Sequence, residues 1–129
     1  MKKLKLLIAD DVSENIDPLE QFLGIDYEIL VAGTGTAAVQ MATKELPFCI
    51  LMDIQMPDMN GLQATKILKA NSRTKNIPTI IITAYYNEFD AQYCNLYGAD
   101  HFLRKPVNLS QLQKVVGQFA QLAIENNTF

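Results

Sequence analysis

Cysteine, histidine and lengthy apolar runs are scarce in this chain, and each scarcity removes a class of function. The only cysteines are Cys49 and Cys94, and the only histidine is His101. Both cysteines lie inside apolar stretches, so they read as buried free thiols, not as a disulfide or a metal site, and they suit a reducing cytoplasm. A lone histidine at position 101 reads as a solvent-facing strand residue. No apolar run is long enough to span a bilayer, and no signal-peptide pattern opens the chain. Positive charge is also outnumbered: 11 Lys and Arg face 14 Asp and Glu, a net charge of −3. Nothing in that balance attracts nucleic acid or an anionic membrane. Lys2, Lys3 and Lys5 read as a solvated strand entry.

What the chain does have is alternation. Its 129 residues, 49% hydrophobic and 19% charged, fit one domain over 1–129, with a core over about 4–124 and a frayed tail over 125–129. Strand-like runs over 4–9, 27–32, 48–52, 77–82 and 100–103 alternate with helix-like segments. Pro78 fits only near the start of its strand.

The first helix, over 13–23, contains Pro18. It is either shortened, with Asp17 as cap and Pro18 at its first position, or kinked there, and Gly24 marks its end. The second covers 36–45 and stops before Pro47; the third covers 62–70, after a loop punctuated by Pro57 and Gly61. Asn87 is a candidate cap for a fourth helix ending at Gly98. The last starts near Asn108 or Ser110, with Leu109, Leu112, Val115, Val116, Phe119 and Leu122 as its core stripe. Five such units predict an α/β fold: a doubly wound, five-stranded parallel sheet with five flanking helices and the flavodoxin-like order 2-1-3-4-5.

Ligands bind beyond the carboxyl ends of the strands in such sheets. Asp10, Asp11, Asp53, Thr83 and Lys105 all follow strand-like runs and so converge there. Three unpaired carboxylates would repel one another, and at least one pKa would rise. A hard divalent cation removes the conflict. Mg²⁺ takes one or two protein carboxylates plus phosphate oxygens, and with Lys105 it balances the three carboxylates in formal charge. Zn²⁺ is not expected, because no Cys or His is placed to join the site. Asp53 is the best nucleophile for a phosphoryl group, with Mg²⁺, Lys105 and Thr83 neutralising or hydrogen-bonding its oxygens. Pro106 would stiffen the loop that aims Lys105.

These pieces stand in a recognisable order: Asp10-Asp11, the run from Met52 through Asp53, Pro57 and Asn60 to Gly61, Thr83-Ala84, Gly98-Ala99-Asp100, and Lys105-Pro106. From Leu6 to about Leu122 the chain resembles the receiver domain of two-component response regulators, including receivers of hybrid histidine kinases. The resemblance implies a signalling switch and not an enzyme with a separate substrate. It implies Asp53 as the residue phosphorylated from a phosphohistidine. It implies Asp11, Asp53 and the Gln55 carbonyl as direct Mg²⁺ ligands, with Asp10 acting through water. Thr83 and Lys105 would couple phosphorylation to conformation, reshaping the surface of helix 4, strand 5 and helix 5. The partners implied are a histidine kinase or a phosphotransfer protein, and a homodimer through that surface is a further partner reading. Phe102 stands where the family often has a tyrosine switch residue, and lacking the hydroxyl it cannot form that hydrogen bond. Gln55 and Tyr85 sit at positions that tune dephosphorylation in similar domains. A short first helix would alter the face that kinases grip, and His101 does not read as a phosphorelay histidine.

Three rival readings are weaker. Gly33-Thr34-Gly35-Thr36-Ala37-Ala38 fits a dinucleotide fingerprint with Asp53 about twenty residues on. That leaves Asp10, Asp11, Thr83 and Lys105 without a role. An aspartyl-phosphate phosphatase would need a second acid two residues after its nucleophile, where Gln55 stands. A degenerate receiver that only binds partners conflicts with the intact polar set.

Overall fold

The computed structural model describes residues 2–84 and 90–126. Five strands, β1 (Lys5–Ala9), β2 (Glu28–Ala32), β3 (Cys49–Asp53), β4 (Thr79–Thr83) and β5 (His101–Arg104), form one sheet. The helices between and after them are α1 (Ser13–Leu23), α2 (Gly35–Glu45), α3 (Gly61–Ala70), α4 (Asp90–Leu96) and α5 (Leu109–Glu125). All strand pairs are parallel, in the expected order 2-1-3-4-5.

The period of two along each strand divides the core between the two faces. Leu6, Ile8, Leu51, Ile80 and Ile82 point toward α1 and α5, joining Ile16, Leu112 and Val116. Leu7, Ala9, Ile50, Met52 and Ile81 point toward the other three helices, joining Ala38, Leu62, Leu68 and Cys94. Both cysteines are buried free thiols, as expected. Burial drives the Cys49 thiol far above its ordinary pKa, which keeps it protonated and inert.

Several boundaries correct the sequence reading. Strands β3, β4 and β5 each run one residue further than expected, so Asp53 and Thr83 are the last residues of their strands. β4 begins after Pro78, whose carbonyl accepts from the Ile50 N–H at 2.9 Å; a ring nitrogen cannot donate to a central ladder. α1 is neither short nor capped by Asp17: it runs eleven residues straight through Pro18. The cost of a proline there is met because Ile16 and Leu23 anchor the helix from below while Pro18 faces outward. α2 and α3 each start one residue early, on buried glycines.

The core stripe of α5 is also redrawn. Leu112, Val115, Val116, Ala120 and Ala123 are buried, whereas Leu109 and Leu122 are exposed. The small alanines let α5 lie close, and the stripe follows them. His101 is half-buried in β5 opposite Ile80, not fully solvent-facing. The expected cap Asn87, Tyr85 and the end of the tail lie outside the described residues.

Candidate functional site

The carboxyl edge of the sheet carries the predicted set. Asp10 follows β1 directly, and its N–H donates to the Ala32 carbonyl at 3.0 Å. Register places Ala9 beside Met52 and Asp53 beside Ile82, so Asp10 and Asp53 stand level on neighbouring strands. Asp10, Asp11 and Asp53 each offer a carboxylate oxygen within 4.8 Å of the others, an arrangement that could hold a metal ion. Asp10 and Asp53 are buried and Asp11 is exposed, which leaves Asp11 as the open lip of the cluster.

Lys105 reaches into this cluster from the end of β5. Its Nζ donates to Asp10 Oδ2 and to Asp53 Oδ2, both at 3.1 Å. Its backbone N–H donates to the Thr83 carbonyl at 2.9 Å, which ties the lysine loop to the end of β4, and the Lys105–Pro106 bond is cis. The second Asp10 oxygen, Oδ1, accepts from the Val12 N–H at 3.0 Å. Asp10 is thus held on both sides by protein donors and serves as a fixed post between β1 and Lys105.

The charges are tuned by place. Burial raises the Asp53 pKa above its ordinary 3.8, the Lys105 ammonium opposes that rise, and Asp10 adds to it. The expected rise is present, with desolvation as the larger cause and like-charge repulsion the smaller. Burial pushes the Lys105 pKa down, but the hydrogen bonds that its ammonium donates to Asp10 and Asp53 outweigh this and leave the pKa above its ordinary 10.5.

A cleft of about 800 Å³ opens over these groups, lined by Asp10, Asp11, Asp53, Gln55, Thr83 and Lys105 among others. Thr83 is buried at its floor. All six predicted site residues therefore border one space, and Phe102 lies apart from it, half-buried against the core on the other face.

The sequence reading missed two features. Gly61 is more than loop punctuation: a Cβ there would lie 1.9 Å from the Asp53 carbonyl oxygen, and its N–H donates to the Ile54 carbonyl at 2.8 Å. A glycine eight residues after the acid was the visible signal. Likewise Gly35 packs against the Met59 carbonyl, 2.1 Å from where a Cβ would stand, so helix–loop packing accounts for a glycine of the dinucleotide-like stretch. The second omission is the outer wall of the cleft, made by Val12, Pro18, Leu19, Val107 and Leu109. These come from distant segments and share no motif.

The family model of the response regulator receiver domain matches residues 6–117. The chain is 36% identical over 113 residues to Protein PilH of Pseudomonas aeruginosa, covering 87% of this chain and 93% of that one. It is 36% identical over 105 residues to response regulator PleD of Caulobacter vibrioides, covering 81% of this chain but only 23% of PleD. The chain therefore spans less than a quarter of that relative's length. Among solved structures, it resembles the receiver domain of a sensor histidine kinase from Pseudomonas aeruginosa, with a TM-score of 0.83, 26% identity, and coverage of 91% and 97%. That protein has a magnesium ion coordinated in its active-site cleft. Among the described residues no helix is long and apolar enough to cross a membrane. With its sheet order, its acidic cleft and this match across most of its length, the chain belongs to the response regulator receiver domain family, the receivers of two-component signalling systems.

Proposed function

We propose that the chain, as a single receiver domain over residues 1–129, is a phosphoacceptor switch in which Asp53 takes a phosphoryl group from a phosphohistidine. The observation that carries this reading is the Lys105 ammonium held at 3.1 Å from both Asp10 and Asp53, with Asp11 completing an acidic cluster. Such a site offers a nucleophilic carboxylate beside a fixed cation and room for a second one.

In the step itself, an Asp53 carboxylate oxygen attacks phosphorus. The O–P bond forms as the donor's N–P bond breaks, and that electron pair stays on the departing imidazole nitrogen. Lys105 stays protonated and is placed to contact a phosphoryl oxygen, and the Thr83 hydroxyl lines the same cleft. Asp11, Asp53 and the Gln55 carbonyl would hold Mg²⁺, with Asp10 acting through water. Bound there, the ion would neutralise charge on the phosphoryl oxygens. The donor set supports it: carboxylates and a carbonyl, with no Cys or His among the residues lining the cleft.

Thr83 ends β4, Lys105 directly follows β5, and the two are joined through the backbone, so a pull on either reaches the surface of α4, β5 and α5. Leu96 on α4 is 83% exposed, which supports a contact there, such as a homodimer. The expected partners are a histidine kinase or a phosphotransfer protein, in the cytoplasm, with catalysis confined to the domain's own phosphorylation state.

Intact-mass analysis after incubation with acetyl phosphate and Mg²⁺ tests the assignment. One added phosphoryl group is expected, absent without Mg²⁺ and absent from Asp53→Ala. An unchanged mass in a protein shown to bind Mg²⁺ counts against Asp53 as the acceptor.

A further inference from the structure

Charge in this chain is sorted by segment. Between residues 6 and 43 there are seven carboxylates and no lysine or arginine, and between residues 59 and 84 there are four cations and no carboxylate. The sheet carries the two segments to opposite sides. α1 packs on one face with α5, whereas α2 and α3 pack on the other.

On the basic side, Lys66 on α3, Arg73 and Lys75 on the turn into β4, and Lys44 in the last turn of α2 are exposed. None of the four is in an ion pair among the described residues. Arg73 joins the two helix ends, its Nη2 donating to the Thr43 carbonyl at 3.2 Å. Two apolar side chains stand among these cations: Ile67 is 44% exposed and Leu46 is 43% exposed. Leu46 also holds a left-handed backbone, with φ at 49°, a conformation that favours glycine. A bulky apolar residue there costs backbone strain and buries little within a single copy.

The acidic side has the matching plan. Asp17 and Glu20 on α1, Asp26 in the turn after it and Glu28 at the start of β2 are exposed, and among the described residues none is in an ion pair. Ile25, in the same turn, is 74% exposed. Lys2 and Lys3 lead into the neighbouring β1 and offset part of this charge, Lys3 with its Nζ donating to the Gly24 carbonyl at 2.9 Å. Lys5 is already held by Glu45, so the carboxylates stay in excess.

We infer that a second copy of this chain covers the basic face, with the ends of α2 and α3 of one copy docked on α1 and the following turn of the next. Ile67 and Leu46 would pack around Ile25, and Lys66, Arg73 and Lys75 would face Asp17, Glu20 and Asp26 at the rim. An apolar centre inside a polar rim is the ordinary plan of a protein interface. Nucleic acid would offer the cations phosphates but the two apolar side chains little, and the net charge of −3 opposes it. The two patches lie on opposite sides of one sheet, so the contact is heterologous and repeats head to tail. Arg73, Lys75, Ile25 and Asp26 precede their strands and stand at the amino edge of the sheet, away from the Asp53 cleft. The inference therefore holds whether or not Asp53 is a phosphoacceptor.

Sedimentation velocity of the intact chain over a wide concentration range tests it. The Debye length is about 30 Å at about 10 mM ionic strength and about 3 Å near 1 M. Weight-average mass should rise with protein concentration at the low salt and return to the monomer at the high salt. Lys66→Glu with Arg73→Glu should weaken association at least about tenfold, and so should Asp17→Lys with Glu20→Lys. These double variants reverse opposite faces. Mixed together they should associate again, because the intact acidic face of the first meets the intact basic face of the second, a result that misfolding could not produce. A mixture that stays monomeric overturns the inference. So does association that survives both double variants and is lost in Leu96→Lys, which places it on α4. A parent that stays monomeric at low salt overturns it as well, and binding of a DNA duplex by that monomer, lost in Lys66→Glu with Arg73→Glu, would assign the face to an anionic polymer instead.

Discussion

Asp53 and Lys105 hold each other in place against opposing costs. Burial raises the Asp53 pKa, so the folded protein binds that proton more tightly than the unfolded chain does. The stability it contributes is therefore greatest at acid pH, and it falls as pH rises from 3.8 through the higher folded value. Asp53→Asn, which keeps the shape and removes the charge, is expected to melt higher than the parent at pH 7 without divalent ions. The gap should close toward pH 3, and thermal melts across that range check it. Lys105 runs the other way. Its folded pKa is raised, so its contribution is complete below 10.5 and is lost as pH climbs through the folded value. Its position beside the three carboxylates was legible from its place after the fifth apolar run. Its two 3.1 Å contacts were not, because they bridge 95 and 52 positions of chain.

Helix ends and interruptions decide how the elements present those residues. Pro18 cannot donate to the Glu14 carbonyl one turn back, and it stands in an otherwise continuous α1. Pro18→Ala is expected to stabilise the domain by about 1–2 kcal/mol, the recovered helix hydrogen bond and relieved crowding set against a freer unfolded chain. Urea unfolding should show a higher midpoint at an unchanged slope. α3 starts on a capping box, with Asn60 Oδ1 accepting from the Gln63 N–H at 2.9 Å and Gln63 Oε1 accepting from the Asn60 N–H at 3.2 Å. Gly61 follows, pressed on the carbonyl of Asp53. Gly61→Ala should cost about 1–3 kcal/mol or more, because backbone and not a flexible side chain blocks the methyl group. Slowed acetyl phosphate labelling of the folded variant would accompany it. The capping signal is local and readable in sequence; the close approach of strand and helix is not. For the same reason Leu109 and Leu122 matched the helical period of α5 yet stay exposed, since the period marks a face and only packing shows where the face ends.

At the scale of the whole molecule, the acidic edge is a load that a bound cation relieves. A ligand that binds only the native state stabilises it by mass action, by about 2.7 kcal/mol at a hundred times its dissociation constant. Millimolar Mg²⁺ is expected to raise the melting temperature of the parent by several degrees and to leave Asp53→Asn nearly unmoved. A parent curve indifferent to Mg²⁺ counts against the metal-binding role of the cluster. The order of strands and helices, the parallel doubly wound class and five residues at the carboxyl edge, Asp10, Asp11, Asp53, Thr83 and Lys105, were determined by the sequence alone, while Gln55 came only from the family resemblance. These sequence signals are short-range: apolar period, capping and turn residues, and a polar residue where β1, β3, β4 and β5 stop. Tertiary structure decided the rest. It brought Val12 and Leu19 of one end together with Val107 and Leu109 of the other, ran α1 through its proline, and set burial above charge as the main influence on Asp53. Each of these depends on which distant segments exclude water from the same space, a property of packing that no local pattern of residues encodes.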